Sequence, residues 1–139
     1  MANGDSPAQV ELTIPCKPEF VGVARLAMLG VASRMRFSYD EVEDVRLAVG
    51  EACTTSVEWA EKNGRPKSTI VLRSEIASDR LTVDIIDTAG SRKEDRDVGG
   101  DQDDENLGAL LMTLLVDEIK VEPQPDGTHV RMVKHAGQR

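Results

Sequence analysis

The chain has 139 residues, of which 40% are hydrophobic and 30% charged, so it fits one globular domain rather than a disordered segment. Aromatic residues make up only 3%, and 17 basic against 25 acidic residues give a net charge of −8. Such a chain lacks the aromatic platforms and positive charge that nucleic acids and anionic lipid surfaces favour. We therefore expect no direct nucleic-acid or membrane partner. A protein partner with basic patches fits better, unless the charge serves only solubility.

Targeting and metal-binding patterns are not evident in the sequence. Residues 1–7 lack the basic start and apolar run of a signal peptide, and we expect them to be flexible. No apolar run approaches the roughly 18 residues of a membrane span, so we expect a cytoplasmic protein. Cys16 and Cys53 stand far apart, without a CxxC pair, and predict buried thiols rather than a disulfide or a metal site.

The first half of the chain predicts one strand and two helices. Alternating apolar residues predict a strand over 10–14 that Pro15 stops, and a helical pattern follows over about 20–35. Ser38 with Glu41 three residues later is a capping box, which predicts the start of a second helix. That helix should end near Asn63-Gly64, a C-cap signal.

The second half predicts four strands, a long loop and a third helix. Strands are expected over 69–76 and 80–86, and a hairpin over 117–123 and 128–134. Residues 87–106 are charged and poor in apolar side chains, which is typical of a mobile or functional loop, or of a connector without a role. The apolar run 107–116 predicts a short buried helix. This order predicts an α+β fold, a two-layer α/β sandwich whose mostly antiparallel sheet is covered by helices on one face.

Three places could carry chemistry. Glu51 and Thr55, four residues apart, project from one flank of the second helix, where a carboxylate can act as a general base. Asp87 ends a strand beside small residues and could accept a hydrogen bond from a ligand amine. Gly108 begins the apolar helix and could expose amide groups to a phosphate. Each also has an ordinary explanation: a solvated helix carboxylate, a turn residue and a plain helix start.

Taken together, these places resemble the signature blocks of a known family. The segments are VRLAVGEACTTSVEWA at 45–60, IIDTAG at 85–90, LGALLMTLLVDEI at 107–119 and DGTHVRMVKH at 126–135. They are similar to those of the anti-sigma-factor serine kinases, small relatives of the histidine-kinase ATPase domain, with the RsbW-like stress-response branch nearest. The resemblance covers about residues 8–136. It implies a single domain of the GHKL (Bergerat) fold with a lid loop at about 88–106.

The resemblance also implies a function and a set of site residues. Members of this family bind a sigma factor, and they phosphorylate a serine of an anti-anti-sigma antagonist with ATP and magnesium; they commonly form homodimers. Glu51 matches the general base, and Asp87 and Thr128 match the adenine-binding pair. The remaining matches are Gly108 in the phosphate block, Ala89 in the first glycine block, Thr55 at the magnesium position and Arg25 at a sigma-contacting arginine.

Three positions depart from the family pattern. Thr55 stands where the family has a magnesium-binding asparagine, Ala89 where it has glycine, and Glu105-Asn106 where it has glycines. These departures leave open whether the chain is an active kinase or a binding module that lost ATP and acts by stoichiometric sequestration. A third hypothesis is a switch subunit with other partners.

Overall fold

Five strands and three helices make up the described part of the chain. A computed structural model describes residues 7–91 and 102–136, without the side chains of residues 102–107. A single 3-10 turn at Pro18–Phe20 leads into the first helix. The helices are α1 (Val21–Ala32), α2 (Tyr39–Lys62) and α3 (Gln102–Leu115), and the strands are β1 (Ala8–Pro15), β2 (Thr69–Ile76), β3 (Arg80–Asp87), β4 (Glu118–Pro123) and β5 (Thr128–His135).

The strands form one sheet in the order β1-β2-β3-β5-β4, and each neighbouring pair is antiparallel. Helices pack on one face of this sheet, and the core lies between the two layers. Its largest fully buried side chains include Met28 of α1, Val49 of α2 and Ile70, Val83 and Ile85 of the sheet. The predicted two-layer α+β sandwich is confirmed, and β3 lies at its centre.

Both predicted ends of α2 are confirmed. The Ser38 hydroxyl accepts a hydrogen bond from the Glu41 amide at 3.1 Å, and the Glu41 carboxylate accepts one from the Ser38 amide at 2.7 Å. At the other end Asn63 caps the helix and Gly64 follows with φ of 65°. This left-handed conformation is costly for residues with a side chain, so glycine ends the helix cleanly.

Helix α3 corrects two predictions. It begins at Gln102 instead of near residue 107, because acidic residues in a first turn favour a helix through its dipole. It is also not buried all round: Leu110, Leu111 and Leu114 are 57%, 43% and 74% exposed, since only the face that carries Gly108 and Met112 packs inward. Of the predicted lid at about 88–106, residues 102–106 therefore belong to α3, and 92–101 lie outside the described residues. The predicted flexible segment 1–7 lies outside them too, except for Pro7.

The cysteine prediction is confirmed. Cys16 and Cys53 are both buried, and neither forms a disulfide within the described part of the chain. Burial raises the pKa of the Cys53 thiol to about 12, so it stays protonated in the folded protein. Among the residues described, no helix is long and apolar enough to cross a membrane.

Candidate functional site

The site is built around Asp87, the last residue of β3. Asp87 pairs in register with Thr128, the first residue of β5, and only 3% and 1% of these residues are exposed. Opposite residues in an antiparallel pair point to the same face, which here is the face that α2 covers. A carboxylate and a hydroxyl therefore lie side by side between the sheet and α2.

Both oxygens of the Asp87 carboxylate accept hydrogen bonds from the protein. The Ser56 hydroxyl of α2 donates to Oδ2 at 2.5 Å, and the Ala89 amide donates to Oδ1 at 3.0 Å. Each carboxylate oxygen has two lone-pair positions and can accept more than one donor. The carboxylate is thus held by one donor from α2 and one from the turn after β3.

The hydroxyl of Thr128 is different, because it is buried without a hydrogen-bond partner in the described part of the chain. A buried polar group left unsatisfied costs about 1–3 kcal/mol. Such groups are rare in folded proteins and often mark a place that a ligand or water completes. The orphaned hydroxyl beside Asp87 therefore indicates a binding position for a small polar group.

Gly127 brings the backbone of the β4–β5 turn directly onto Asp87. A β-carbon built at Gly127 would collide with the carbonyl oxygen of Asp87 and would lie 2.7 Å from its Oδ1. From the sequence alone, Gly127 is an ordinary turn residue between the two strands of the predicted hairpin. Its role in admitting the carboxylate depends on a contact with residues forty positions away, which no local pattern reveals.

The turn after β3 explains how alanine is accommodated at position 89. Gly90 has φ of 103°, and among the described residues only Gly64 and Gly90 have positive φ. The Gly90 amide donates to the Asp126 carbonyl at 2.8 Å, and the Asn63 side chain donates to the Ala89 carbonyl at 2.9 Å. The turn thus needs glycine at 90, while fully buried Ala89 adopts an ordinary conformation.

Glu51 lies on α2, five residues before Ser56 and hence about 7.5 Å from it along the helix axis. Its side chain reaches α3: a β-carbon built at Gly108 would lie 2.9 Å from Glu51 Oε2. The Thr55 hydroxyl donates to the Glu51 carbonyl at 3.1 Å. That bond uses the hydroxyl proton and leaves the Thr55 oxygen lone pairs available.

Gly108 is not at the start of a helix, as the sequence predicted, but inside α3. Its amide therefore belongs to the helical hydrogen-bonding pattern instead of facing a ligand. The free amides are those of the first turn, which begins at Gln102. What Gly108 provides is close contact with Glu51.

Arg25 lies outside this group of residues. Its half-buried guanidinium packs against Gly50, where a β-carbon would collide with Arg25 Nε. The structure therefore brings Asp87, Ala89 and Thr128 together at one end of the site and Glu51, Thr55 and Gly108 at the other. Ser56 of α2 lies between these two ends, because it directly follows Thr55 in the chain and its hydroxyl donates to Asp87. Within the described ranges no three His, Cys, Asp or Glu residues are placed to hold a metal ion.

The fold and these residues agree with the comparisons with known proteins. The family model for the histidine kinase-like ATPase domain matches residues 14–134. Serine-protein kinase RsbW of Bacillus velezensis is 39% identical over 137 residues, covering 91% of this chain and 84% of that protein. RsbW of Listeria monocytogenes is 35% identical over 142 residues, with 94% and 89% covered.

Solved structures show the same fold. The RsbU and RsbW domains of a Mycobacterium tuberculosis protein match with a TM-score of 0.70 at 15% identity, over 91% of this chain and 31% of that one. The histidine kinase domain of a blue-light-activated kinase from Erythrobacter litoralis matches with a TM-score of 0.57 at 23% identity, over 87% and 61%. This chain thus spans about a third and about three fifths of those two chains. It belongs to the histidine kinase-like ATPase family, among relatives of the serine-protein kinase RsbW.

Proposed function

We propose that this protein is an ATP-dependent protein-serine kinase and an anti-sigma factor. It binds a sigma factor and phosphorylates a serine of an anti-anti-sigma antagonist. The observation that carries the proposal is the buried pair of Asp87 and Thr128. Asp87 is held by the Ser56 hydroxyl and the Ala89 amide, and the Thr128 hydroxyl beside it has no hydrogen-bond partner among the described residues. The RsbW relatives, which bear the name of serine-protein kinases, support the same activity.

The residues present fit the adenine end of ATP. Asp87 accepts a hydrogen bond from the exocyclic amino group of the adenine. The Thr128 hydroxyl finds its hydrogen-bond partner on the neighbouring ring edge. Buried Ala89 and Gly90 form the turn against which the base would lie. Burial from water makes these few hydrogen bonds selective, because a ligand that cannot make them leaves a buried group unpaired.

The other end of the site fits the chemistry of phosphoryl transfer. When bound, magnesium-ATP supplies the phosphoryl group that a serine hydroxyl receives. Glu51 is half-buried and accepts the proton of that hydroxyl as a general base. Thr55 offers hydroxyl lone pairs to the magnesium ion, a weaker ligand than the carboxylates and carbonyls that magnesium prefers. Gly108 keeps α3 close to Glu51, and the segment at about 88–106 outside α3 serves as the lid.

Sequestration without catalysis remains the second candidate function. It is favoured by Thr55 and by the acidic first turn of α3, whose sequence includes Asp103, Asp104 and Glu105. Negative charge there repels phosphates and weakens nucleotide binding. Ala89 fits the turn without a positive φ, which supports nucleotide binding despite this departure from the family pattern.

Partner binding is assigned to α1. Three apolar residues on its outward face follow each other at three-residue spacing, and their exposed fractions are 44% for Val23, 69% for Leu26 and 38% for Leu29. An exposed apolar stripe of this kind is typical of a protein-binding surface. We assign it to homodimer formation and sigma-factor docking, with Arg25 at its edge as the contact to the sigma factor.

A transfer assay tests the proposal. The protein is incubated with magnesium and γ-labelled ATP together with each antagonist-like protein of its source organism, and labelled serine is identified by mass spectrometry. We expect transfer by the wild-type protein and at least about a hundredfold slower transfer by Glu51→Gln. Glu61→Gln, an exposed glutamate of the same helix, is the matched control and should behave as wild type. Sigma-factor binding without transfer would favour sequestration instead.

A further inference from the structure

Ser56 lies in the middle of the face that α2 turns toward the sheet. It is 2% exposed and is flanked along the helix by the buried residues Cys53, Val57 and Ala60. The sequence pattern includes Ser56 only as one member of this otherwise apolar face. A buried hydroxyl in such a place must find a partner, and here the partner is the Asp87 carboxylate at 2.5 Å.

The bond between Ser56 and Asp87 is of the strong kind. Hydroxyl donors to carboxylates are short, about 2.5–2.7 Å, and are roughly twice as strong as bonds between neutral groups. The Ala89 amide holds the other carboxylate oxygen at 3.0 Å. One donor comes from α2 and one from the turn after β3, so together they set the plane and rotation of the carboxylate.

The orientation of Asp87 decides which chemical group can occupy the site. An acceptor at Asp87 next to the unsatisfied Thr128 hydroxyl favours a ring edge that carries an amino group beside a ring nitrogen. An oxo group in place of the amino group would direct an oxygen at the carboxylate, and two acceptors repel. Discrimination between these edges requires that the carboxylate cannot rotate away.

We propose that Ser56 is a positioning residue that sets the preference of this site for a 6-amino over a 6-oxo purine nucleotide. It acts through Asp87 and does not itself contact the phosphates. This inference rests on the proposed nucleotide-binding function and adds a residue to it. The Ser56 hydroxyl supplies specificity, whereas the apolar neighbours of Ser56 supply packing.

The test compares binding of ATP and ITP, which differ at the purine 6-position, by calorimetry with magnesium. We expect Ser56→Ala to weaken ATP binding about tenfold and ITP binding less than twofold, so that the ATP-to-ITP preference falls about fivefold or more. Ser56→Cys preserves volume but offers only a weak donor, and it should resemble Ser56→Ala. Circular dichroism melts of both variants check that they are folded.

Ser74→Ala is the matched control. Ser74 is also 2% exposed and lies on the same face of the sheet, but its hydroxyl contacts the sulfur of Met28 at 3.8 Å instead of Asp87. This variant should keep the wild-type preference for ATP. Equal weakening of ATP and ITP binding by Ser56→Ala, or unchanged ATP binding, would overturn the proposal alone. A wild-type protein that binds neither nucleotide would overturn the proposed function and this inference with it.

Discussion

Glu51 and Gly108 meet across the contact between α2 and α3, where the glutamate carboxylate occupies the space that any side chain at position 108 would need. The contact holds the Glu51 side chain against α3. A movement of α3 would therefore also move the proposed general base. This relationship links the position of α3 to catalysis and gives the first prediction.

Gly108→Ala should lower the phosphoryl-transfer rate by about tenfold to a hundredfold while leaving the fold stable. The added methyl group displaces the Glu51 carboxylate, and a misplacement of about 1 Å can cost a hundredfold in rate. Inside a helix, alanine is intrinsically better than glycine by about 1 kcal/mol, which offsets strain. Gly30→Ala in α1, with nothing within 4 Å of the new β-carbon, is the control for rate. Equal rates for both variants would show that the Glu51–Gly108 contact does not matter.

Gly127→Ala should destabilise the protein. Its β-carbon would meet the backbone carbonyl of Asp87, which cannot move without disturbing the pairing of β3 with β5. Overpacking of this kind costs about 1–3 kcal/mol, or more against backbone. Urea unfolding measures the loss, with Gly22→Ala as a control at an open helical position. A loss no greater than that of Gly22→Ala would refute the close contact.

Asp84 should make the stability depend on pH. It is buried on the sheet face opposite to the helices, where burial disfavours its charge, but hydrogen bonds from Arg131 at 2.7 Å and His129 at 2.8 Å lower its pKa overall. A group whose pKa is lower in the folded state stabilises above its unfolded pKa, about 3.9, and this contribution is lost as pH falls through the folded pKa. Asp84→Asn should therefore cost about 1.5–3 kcal/mol at pH 7 and clearly less at pH 3.

The control for this prediction is Asp79→Asn. Asp79 is 71% exposed at its side chain and pairs with Arg80 only at 3.8 Å, so its loss should be small at both pH values. Unfolding by urea at pH 7 and pH 3 gives both differences. If Asp84→Asn cost the same at both pH values, the ion pairs would not be the reason for its effect.

Arg25→Glu should weaken sigma-factor binding by about tenfold or more without unfolding the protein. The substitution reverses a charge at the edge of the exposed α1 stripe, and a repelled charge at an interface slows association and weakens affinity. Arg34→Glu, an exposed arginine just beyond the end of α1, is the control for net charge. Biolayer interferometry against the sigma factors of the source organism measures both. Unchanged affinity of the Arg25→Glu variant for the sigma factor would show that Arg25 is not part of the interface.

Features that depend on neighbouring residues could be predicted from the sequence. The Ser38–Glu41 capping box and the Gly64 helix end are local, and so are the alternation of β1 and the turn at Asp126-Gly127. These local signals predict the order of strands and helices along the chain, and that order predicts the two-layer architecture. Glu51 and Asp87 were candidates from the residues alone, and the family resemblance added Thr128, which the structure places opposite Asp87 in the strand register.

Other features required the folded chain. Ser56 and Asp87 are 31 positions apart, and the collision that Gly127 avoids involves Asp87, which lies even further from it along the chain. Composition alone predicts too late a start for α3, because charged residues in its first turn resemble a loop. The apolar run of α3 suggested burial, but a helix at the edge of the sheet has only one face to cover.

The central claim is that Asp87 recognises ATP, and calorimetry with magnesium-ATP tests it most directly. Asp84→Asn is the matched control, since Asp84 is a buried aspartate of the same strand that points to the other face. We predict saturable binding by the wild-type protein and by Asp84→Asn, and binding about tenfold to a hundredfold weaker by Asp87→Asn. Absence of any heat or thermal shift for the wild-type protein at millimolar ATP would contradict the account, and so would equal affinities for wild type and Asp87→Asn.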